Sequence, residues 1–276
     1  MVQATATRNT FPRDLVLAQL SSLRSTVVSA RNTAGGGALL KETHEVFRAI
    51  DAGADPNDLK ALIKQASILG AHSHDTRTRI WRSIGHSYFL PGCQWVVQSL
   101  VEASRSGLAS TEFVSLAYLY FVLRDRLTFD FITGSVWSKW HQQSTPLDRS
   151  EFQSFLELES ATFPDIKKWS ESTRKKLGRN CLTALREFGL LRGSRLKQIQ
   201  RPAVASETAF HLVCVLSAEG LEGRAILNSP DWRLFLWSQA EVTNLLGELA
   251  QKKWIRFEKA GNHVILQFIR FPGETP

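Results

Sequence analysis

Hydrophobic positions recur at helical spacing along most of the chain, and this pattern predicts a mainly α protein. An amphipathic stretch covers residues 38–52. Asp55 and Pro56 follow it, and this pair is typical of an N-cap and the first helical position. After a break at Gly70, a further helix is predicted over residues 75–89. Two short helices joined by a glycine-containing turn predict a helix-turn-helix-like unit.

The helix predicted over residues 75–89 has two different faces. Its apolar side includes Ile80 and Ile84, and its opposite side includes Arg79 and Arg82. Such a helix suits docking against DNA, with the apolar side packed and the basic side outward. An ordinary amphipathic surface helix explains the same pattern equally well.

The middle of the chain, from residue 94 to 140, is a series of apolar helices. Residues 116–123 are hydrophobic nearly all round, which predicts a central buried helix. The polar segment Ser144–Asp148 contains a proline and predicts a linker. We therefore predict a mobile N-terminal extension over residues 1–32, a helical domain with the helix-turn-helix-like unit over 33–145, and a winged-helix-like domain over 150–276.

The second predicted domain contains a strong helix from about residue 169 to Phe188, and Gly189 is placed to end it. Residues 190–199 alternate in part and predict a short β-wing. A basic helix followed by a basic wing is typical of winged-helix proteins. Near the end, Ser238 and Glu241 predict a capping box at the start of another helix, with a β-hairpin after it.

Positive charge is concentrated in one part of the sequence. The net charge is +8, and the window 165–201 holds eleven basic and three acidic residues, so the rest of the chain is neutral. A basic patch on a neutral protein is typical of a protein that binds a polyanion, although a solvated basic surface or a dock for an acidic protein has the same composition. We predict that the DNA-contacting residues are Lys175, Lys176, Arg179, Arg186, Arg192, Arg195 and Lys197, with Arg79 and Arg82 forming a second surface.

Other chemistry is hard to place in this sequence. Three cysteines stand far apart without a C-x-x-C pair, which argues against a disulfide framework or structural zinc and favours a reducing cytoplasm. The pair His72 and His74 lacks further metal ligands nearby. Cys181 falls on the apolar face of its helix and is predicted to be a core residue. No catalytic set assembles in the sequence, so we expect no enzyme activity, no cofactor and no metal. We also expect no membrane span, because the longest apolar stretch, residues 113–123, has only eleven residues.

An ordered set of short motifs resembles a known family. The motifs are TAGGGALLKET at 33–43, ILG at 68–70, SHDTRTRIW at 73–81, LRDRL at 123–127, WSESTRKKL at 169–177 and LREFGLL at 185–191. Together they resemble the BrxA family of bacteriophage exclusion (BREX) defence systems, over roughly residues 33–240. The extension before Asn32 departs from that family pattern.

The resemblance implies a mostly helical, non-enzymatic cytoplasmic protein that binds double-stranded DNA through helix-turn-helix-like units. It also implies partners encoded in the same operon: an adenine methyltransferase, an ATPase and an alkaline-phosphatase-like protein. It brings no catalytic residues to this chain. A second hypothesis stays open at this point, in which the protein is an adaptor whose basic patch docks an acidic partner of the defence complex.

Overall fold

The chain folds mainly into helices, and this confirms the predicted fold class. The computed structural model describes residues 23–30, 36–90 and 93–270. The helices are α1 (Leu40–Asp51), α2 (Leu59–Lys64), α3 (His74–Tyr88), α4 (Gln94–Ser104), α5 (Thr111–Arg124), α6 (Arg126–Phe131), α7 (Trp137–His141), α8 (Arg149–Thr162), α9 (Glu171–Glu187), α10 (Ser206–Ala218), α11 (Gly223–Leu227) and α12 (Gln239–Gln251).

Short elements connect these helices. A π-helical turn spans Ile132–Val136 between α6 and α7, and 3-10 helices span Pro164–Lys168 and Pro230–Phe235. The strands are β1 (Pro146–Leu147), β2 (Leu191–Arg192), β3 (Lys197–Ile199), β4 (Ile255–Ala260) and β5 (His263–Phe268). Among the described residues, no helix has the length and apolar character needed to cross a bilayer.

Helix α5 lies at the centre of the core, as its uniformly apolar sequence predicts. Phe113 and residues 115–123 are all buried. The polar groups on this helix have partners: the Tyr118 hydroxyl donates to the Leu234 carbonyl at 2.7 Å, and the Tyr120 hydroxyl lies 2.6 Å from Nδ1 of His211 on α10. Buried polar groups need such partners, because an unpaired one costs about 1–3 kcal/mol. Hydrogen bonds therefore join α5 and α10 across the predicted domain boundary.

The segment over residues 23–30 packs against the body of the protein. The Leu23 side chain is fully buried, and the Arg24 guanidinium pairs with Glu219 at 2.8 Å and with Asp231 at 2.7 Å. The Arg24 guanidinium also lies over the Phe129 ring, 4.9 Å from its centroid. This part of the predicted mobile extension is thus anchored, whereas residues 1–22 and 31–32 lie outside the described residues.

Two local predictions differ from the structure. Asp55 does not cap a helix that begins at Pro56: it accepts a hydrogen bond from the Asn57 backbone N–H at 2.8 Å, and α2 begins only at Leu59. An aspartate side chain that bonds the backbone two residues on stabilises a turn instead of a helix. The segment predicted as a linker contains strand β1, which pairs with β3.

Strands β1, β2 and β3 form a small antiparallel sheet in the order β1-β3-β2. Pro146 is opposite Gln198 in this sheet, and Leu191 is opposite Ile199. The elements from β1 to β3 therefore run strand, helix, helix and hairpin, with the hairpin directly after α9.

The predicted capping box and C-terminal hairpin are both present. The Ser238 hydroxyl accepts from the Glu241 backbone N–H, and the Glu241 carboxylate accepts from the Ser238 N–H at 2.8 Å. Strands β4 and β5 pair antiparallel around Gly261, whose φ of +57° favours glycine at the turn. The hairpin follows α12, as the sequence pattern predicts.

Candidate nucleic-acid interface

The exposed face of α9 displays a row of cations. Ser170 caps the helix by accepting from the Thr173 backbone N–H at 3.2 Å, and Gly189 follows its end with a φ of +80°. Leu177, Cys181 and Leu185 are buried under the helix. The predicted cations on the opposite face are all exposed, namely Lys175, Lys176, Arg179 and Arg186.

Close packing against α8 holds α9 in place. Gly178 lies against Phe152 of α8, and a Cβ added at Gly178 would lie 3.0 Å from Phe152 Cδ1. The amide of Gln153 donates to the Arg174 carbonyl at 3.1 Å. Arg174 itself donates to the Ile166 carbonyl at 3.0 Å, so its guanidinium binds the segment that connects α8 to α9.

The hairpin of β2 and β3, which we call the wing, adds the other predicted cations of this region. Arg192 and Arg195 are exposed, and Lys197 is half-buried. Side-chain hydrogen bonds order two of the three: Arg192 donates to the Gln198 amide oxygen at 3.0 Å, and the Lys197 ammonium donates to the Ser194 carbonyl at 3.1 Å.

Two open grooves border this basic face, and Arg149 lines both of them. One groove, of about 550 Å³, runs between α8 and the first turns of α9, where Lys175, Lys176 and Arg179 line it. The other, of about 710 Å³, lies beside the wing, where Arg195 and Lys197 line it. The structure therefore brings the helix cations and the wing cations to one surface, with Arg149 between them. We call this surface the α9–wing face.

Positive charges crowd together at the centre of the α9–wing face. Partial burial, followed by the charges of Arg186 and Arg149, lowers the pKa of the Lys197 ammonium. Glu187, the acid next to Arg186 in sequence, accepts a hydrogen bond from the Ala38 backbone N–H at 2.7 Å. Three like charges are thus held near one another, an arrangement that a bound anion would stabilise.

Most of these cations are available to an external partner. Lys175 pairs with Glu171 at 2.6 Å, but both side chains are at least 69% exposed, so water screens the pair. Within the described residues, no carboxylate oxygen lies within 4.0 Å of the charged atoms of the other six predicted cations of this face, which are Lys176, Arg179, Arg186, Arg192, Arg195 and Lys197. A compact set of cations, most of them without a carboxylate partner at ion-pair distance, is a suitable surface for a polyanion.

Arg79 and Arg82 lie elsewhere. Both are exposed on α3, whose Ile80 and Ile84 are buried, so the two-faced pattern predicted for this helix is confirmed. Neither arginine lines the grooves of the α9–wing face. Their neighbour Arg77 is engaged locally, because it donates to the Lys64 and His72 carbonyls.

Sequence reasoning missed Arg149, which directly follows the predicted linker and lies outside the basic window. No sequence signal links Arg149 to α9, because the two approach each other only through the packing of α8 on α9. The prediction that Cys181 is a core residue is confirmed: it is 1% exposed, and burial raises the pKa of its thiol. The described part of the chain holds no cluster of three or more His, Cys, Asp or Glu side chains suited to a metal ion.

Comparison with known proteins identifies the family. The BrxA family model matches residues 30–214, which is most of the chain. The chain belongs to the BrxA family. Membership supports a role associated with BREX defence, as the ordered motifs predict. The matched residues include α9 and the wing, so the basic surface of this BrxA-family protein lies within the part of the chain that the family model covers.

A solved structure has a similar fold. It is described as the crystal structure of an uncharacterized protein from Magnetospirillum magneticum, and it aligns with a TM-score of 0.58 at 17% sequence identity. The alignment covers 76% of this BrxA-family chain and 99% of the other. No curated protein matches the sequence.

Proposed function

We propose that this protein is a non-enzymatic accessory protein of a BREX system that binds double-stranded DNA through the α9–wing face. One observation supports the proposal above the others: the cations of α9 and the wing share one exposed surface, and six of them have no carboxylate partner within the described residues. The proposed partners are duplex DNA and the other BREX proteins, and the proposed location is the cytoplasm.

The dimensions of α9 suit a DNA groove. An α-helix with its side chains is about 10–12 Å wide, and the major groove of B-DNA is about 12 Å wide. Lys175 and Arg186 are eleven residues apart on α9, which corresponds to about 16 Å along its axis. In helix-turn-helix proteins the second helix enters the major groove, and α9 is the second helix of the α8–α9 pair. The strand-helix-helix-hairpin order supports a winged-helix-like unit.

We propose that phosphate contacts dominate binding. The face is rich in Lys and Arg, and such side chains mostly contact phosphate oxygens, which position a protein without reading sequence. Arg149 joins the proposed contact set because it lines both grooves. Arg79 and Arg82 form a second proposed surface on α3. We expect little sequence preference and a steep dependence on salt.

The test is binding of labelled duplex DNA, measured by fluorescence anisotropy between 50 and 200 mM salt. If about six phosphates are neutralised, affinity should fall by roughly three orders of magnitude over this range. A Lys175→Glu, Arg179→Glu, Arg186→Glu variant should lose binding and keep its far-UV circular dichroism. Affinity that stays flat over the salt series would contradict the proposal.

A charge-matched control separates local contacts from net charge. Arg224→Glu, Lys253→Glu, Lys259→Glu makes the same change in net charge, from +8 to +2, at exposed positions outside the α9–wing face. It should retain most of the affinity. In the alternative function, the patch docks an acidic BREX protein. Two results together would favour the adaptor. A complex with such a protein would persist in excess duplex DNA of any sequence, and the triple α9 variant would not form that complex.

A further inference from the structure

An exposed leucine lies in the turn of the wing. Leu196 is 78% exposed, although the other apolar residues of the hairpin, Leu191 and Ile199, are 1% and 3% exposed. Leu196 lies outside the paired strands, in the turn that joins Arg192 to Lys197. A large apolar side chain in this position makes no contribution to the core.

The turn holds Leu196 in a defined place. Gly193 has a φ of +87°, and a Cβ at this residue would lie 2.3 Å from the Leu196 carbonyl oxygen, so only glycine permits this close approach. The hydrogen bond from the Lys197 ammonium to the Ser194 carbonyl, 3.1 Å long, also braces the turn. A turn that is ordered before binding loses less conformational entropy when it contacts a partner.

The wing is joined firmly to α9. The Gln200 backbone N–H donates to the Leu190 carbonyl at 2.9 Å, and the Gln200 amide donates to the Gly189 carbonyl at 2.9 Å. These bonds connect the end of β3 to the end of α9. The wing therefore stays with α9 on any duplex that the helix binds, and in the proposed complex it is placed along the backbone beside the major groove, next to a minor groove.

Charge indicates the partner of this leucine. Arg195 and Lys197 flank it in sequence, and Arg192 begins the same turn. Proteins that bind the minor groove combine cations on the phosphates with an apolar wedge, often leucine, that inserts between base steps and kinks the duplex. The turn of the wing has both components within the six residues from Arg192 to Lys197.

We propose that Leu196 inserts between base pairs from the minor groove and bends the duplex. This inference rests on the proposed DNA-binding function. In this proposal the cations of the wing contact the phosphates beside the insertion point, and Leu196 occupies the space between the two unstacked base pairs. The wing would thus deform DNA, while α9 supplies the principal phosphate contacts.

The experiment uses the full chain with two duplexes. One carries 2-aminopurine, whose fluorescence rises when a base is unstacked, and the other carries a donor and an acceptor dye at its ends to report bending. The wild type should increase both signals. Leu196→Ala should abolish both and lower affinity by roughly tenfold, since burying a leucine side chain is worth about that factor or more. The slope of affinity against salt should not change, because the cations remain.

Two further variants make the result specific. Leu158→Ala removes a leucine of similar exposure, 74%, from α8, and both DNA signals should match the wild type. Leu196→Phe keeps an apolar wedge, so it should retain unstacking and bending.

The possible failures are distinguishable. Salt-dependent binding by the wild type with unchanged fluorescence and dye distance would overturn the wedge and leave the proposed function intact. Absence of DNA binding by the wild type would overturn both. Binding to anionic lipid vesicles that Leu196→Ala abolishes, without any response on DNA, would assign the leucine to a lipid surface and also overturn the wedge.

Discussion

Asp125 should make the stability of this protein depend on pH in the mildly acidic range. It lies between α5 and α6 and is 3% exposed, and its carboxylate accepts a hydrogen bond from the Thr128 hydroxyl at 2.7 Å. Burial raises the pKa of Asp125 from its ordinary 3.8 to about 6, and the Thr128 hydrogen bond opposes this rise. The fold therefore holds a carboxyl group that favours its neutral form.

The sign of the effect follows from the raised pKa. Below the pKa of the unfolded chain, 3.8, the carboxyl group is protonated in both states, and the stability gained from the neutral buried form is fully present. As pH rises through about 6, the native state loses its proton and that stability is lost. The interval from 3.8 to about 6 corresponds to about 3 kcal/mol at 1.36 kcal/mol per pH unit.

Asp125→Asn isolates this contribution, because asparagine stays neutral and can still accept from Thr128. The difference in the free energy of unfolding between variant and wild type should grow in favour of the variant by about 2 kcal/mol from pH 4.5 to pH 8, because only the interval from 4.5 to about 6 is sampled. Urea unfolding, followed by tryptophan fluorescence at each pH, measures it. Other titrating groups are common to both proteins and cancel in the difference.

An exposed carboxylate provides the control. Asp165 pairs with Lys168, and both side chains are at least 76% exposed. Asp165→Asn should therefore differ from the wild type by less than about 0.5 kcal/mol at every pH in the series. A difference between Asp125→Asn and wild type that stays constant from pH 4.5 to 8 would refute the reasoning about burial.

Two further predictions concern packing and the N-terminal anchor. Arg24→Ala removes the cation that pairs with the largely buried Asp231 and with Glu219. In a urea titration it should lower the free energy of unfolding by about 2–4 kcal/mol. A loss below about 1 kcal/mol would mean that residues 23–30 are not held as described. Gly178→Ala should destabilise by about 1 kcal/mol, since a clash of about 1–3 kcal/mol with α8 exceeds the helix-propensity gain of about 1 kcal/mol. Gly247→Ala in α12, where an added Cβ has no neighbour within 4 Å, should instead stabilise by up to about 1 kcal/mol, and thermal melts of both variants test the pair.

Local sequence signals predicted the helix that carries the basic face. Ser170 and Gly189 define the two ends of α9, because a serine hydroxyl satisfies free N–H groups at the start and glycine adopts a positive φ after the end. The uniformly apolar sequence of α5 indicated its central position in the same way. Such features depend on residues within the same helix or directly beside its ends, so a single sequence contains them.

Features that depend on distant segments were not predictable. Leu182 falls among the cations of α9 and appears misplaced on a helical projection. In the structure it is 1% exposed and lines the wing groove beside Leu147, which belongs to β1. Strand β1 could not be identified from two residues that include a proline, since only its pairing with β3, a distant segment, makes this short stretch a strand.

The cluster of positive charges at Arg149, Arg186 and Lys197 also depends on the packing of distant segments, so the sequence alone did not predict it. A sliding window counts charges that are near in sequence, whereas repulsion depends on distance in space. Arg186 and Lys197 meet because the wing folds back beside α9, and Arg149 joins them through the packing of α8. Within the described residues no carboxylate oxygen lies within 4.0 Å of any of these three cations, and partial burial, followed by the charges of Arg186 and Arg149, lowers the pKa of Lys197. A phosphate group bound among them would replace repulsion with attraction, so a crowding of charges that is unfavourable in the free protein suits a bound phosphate.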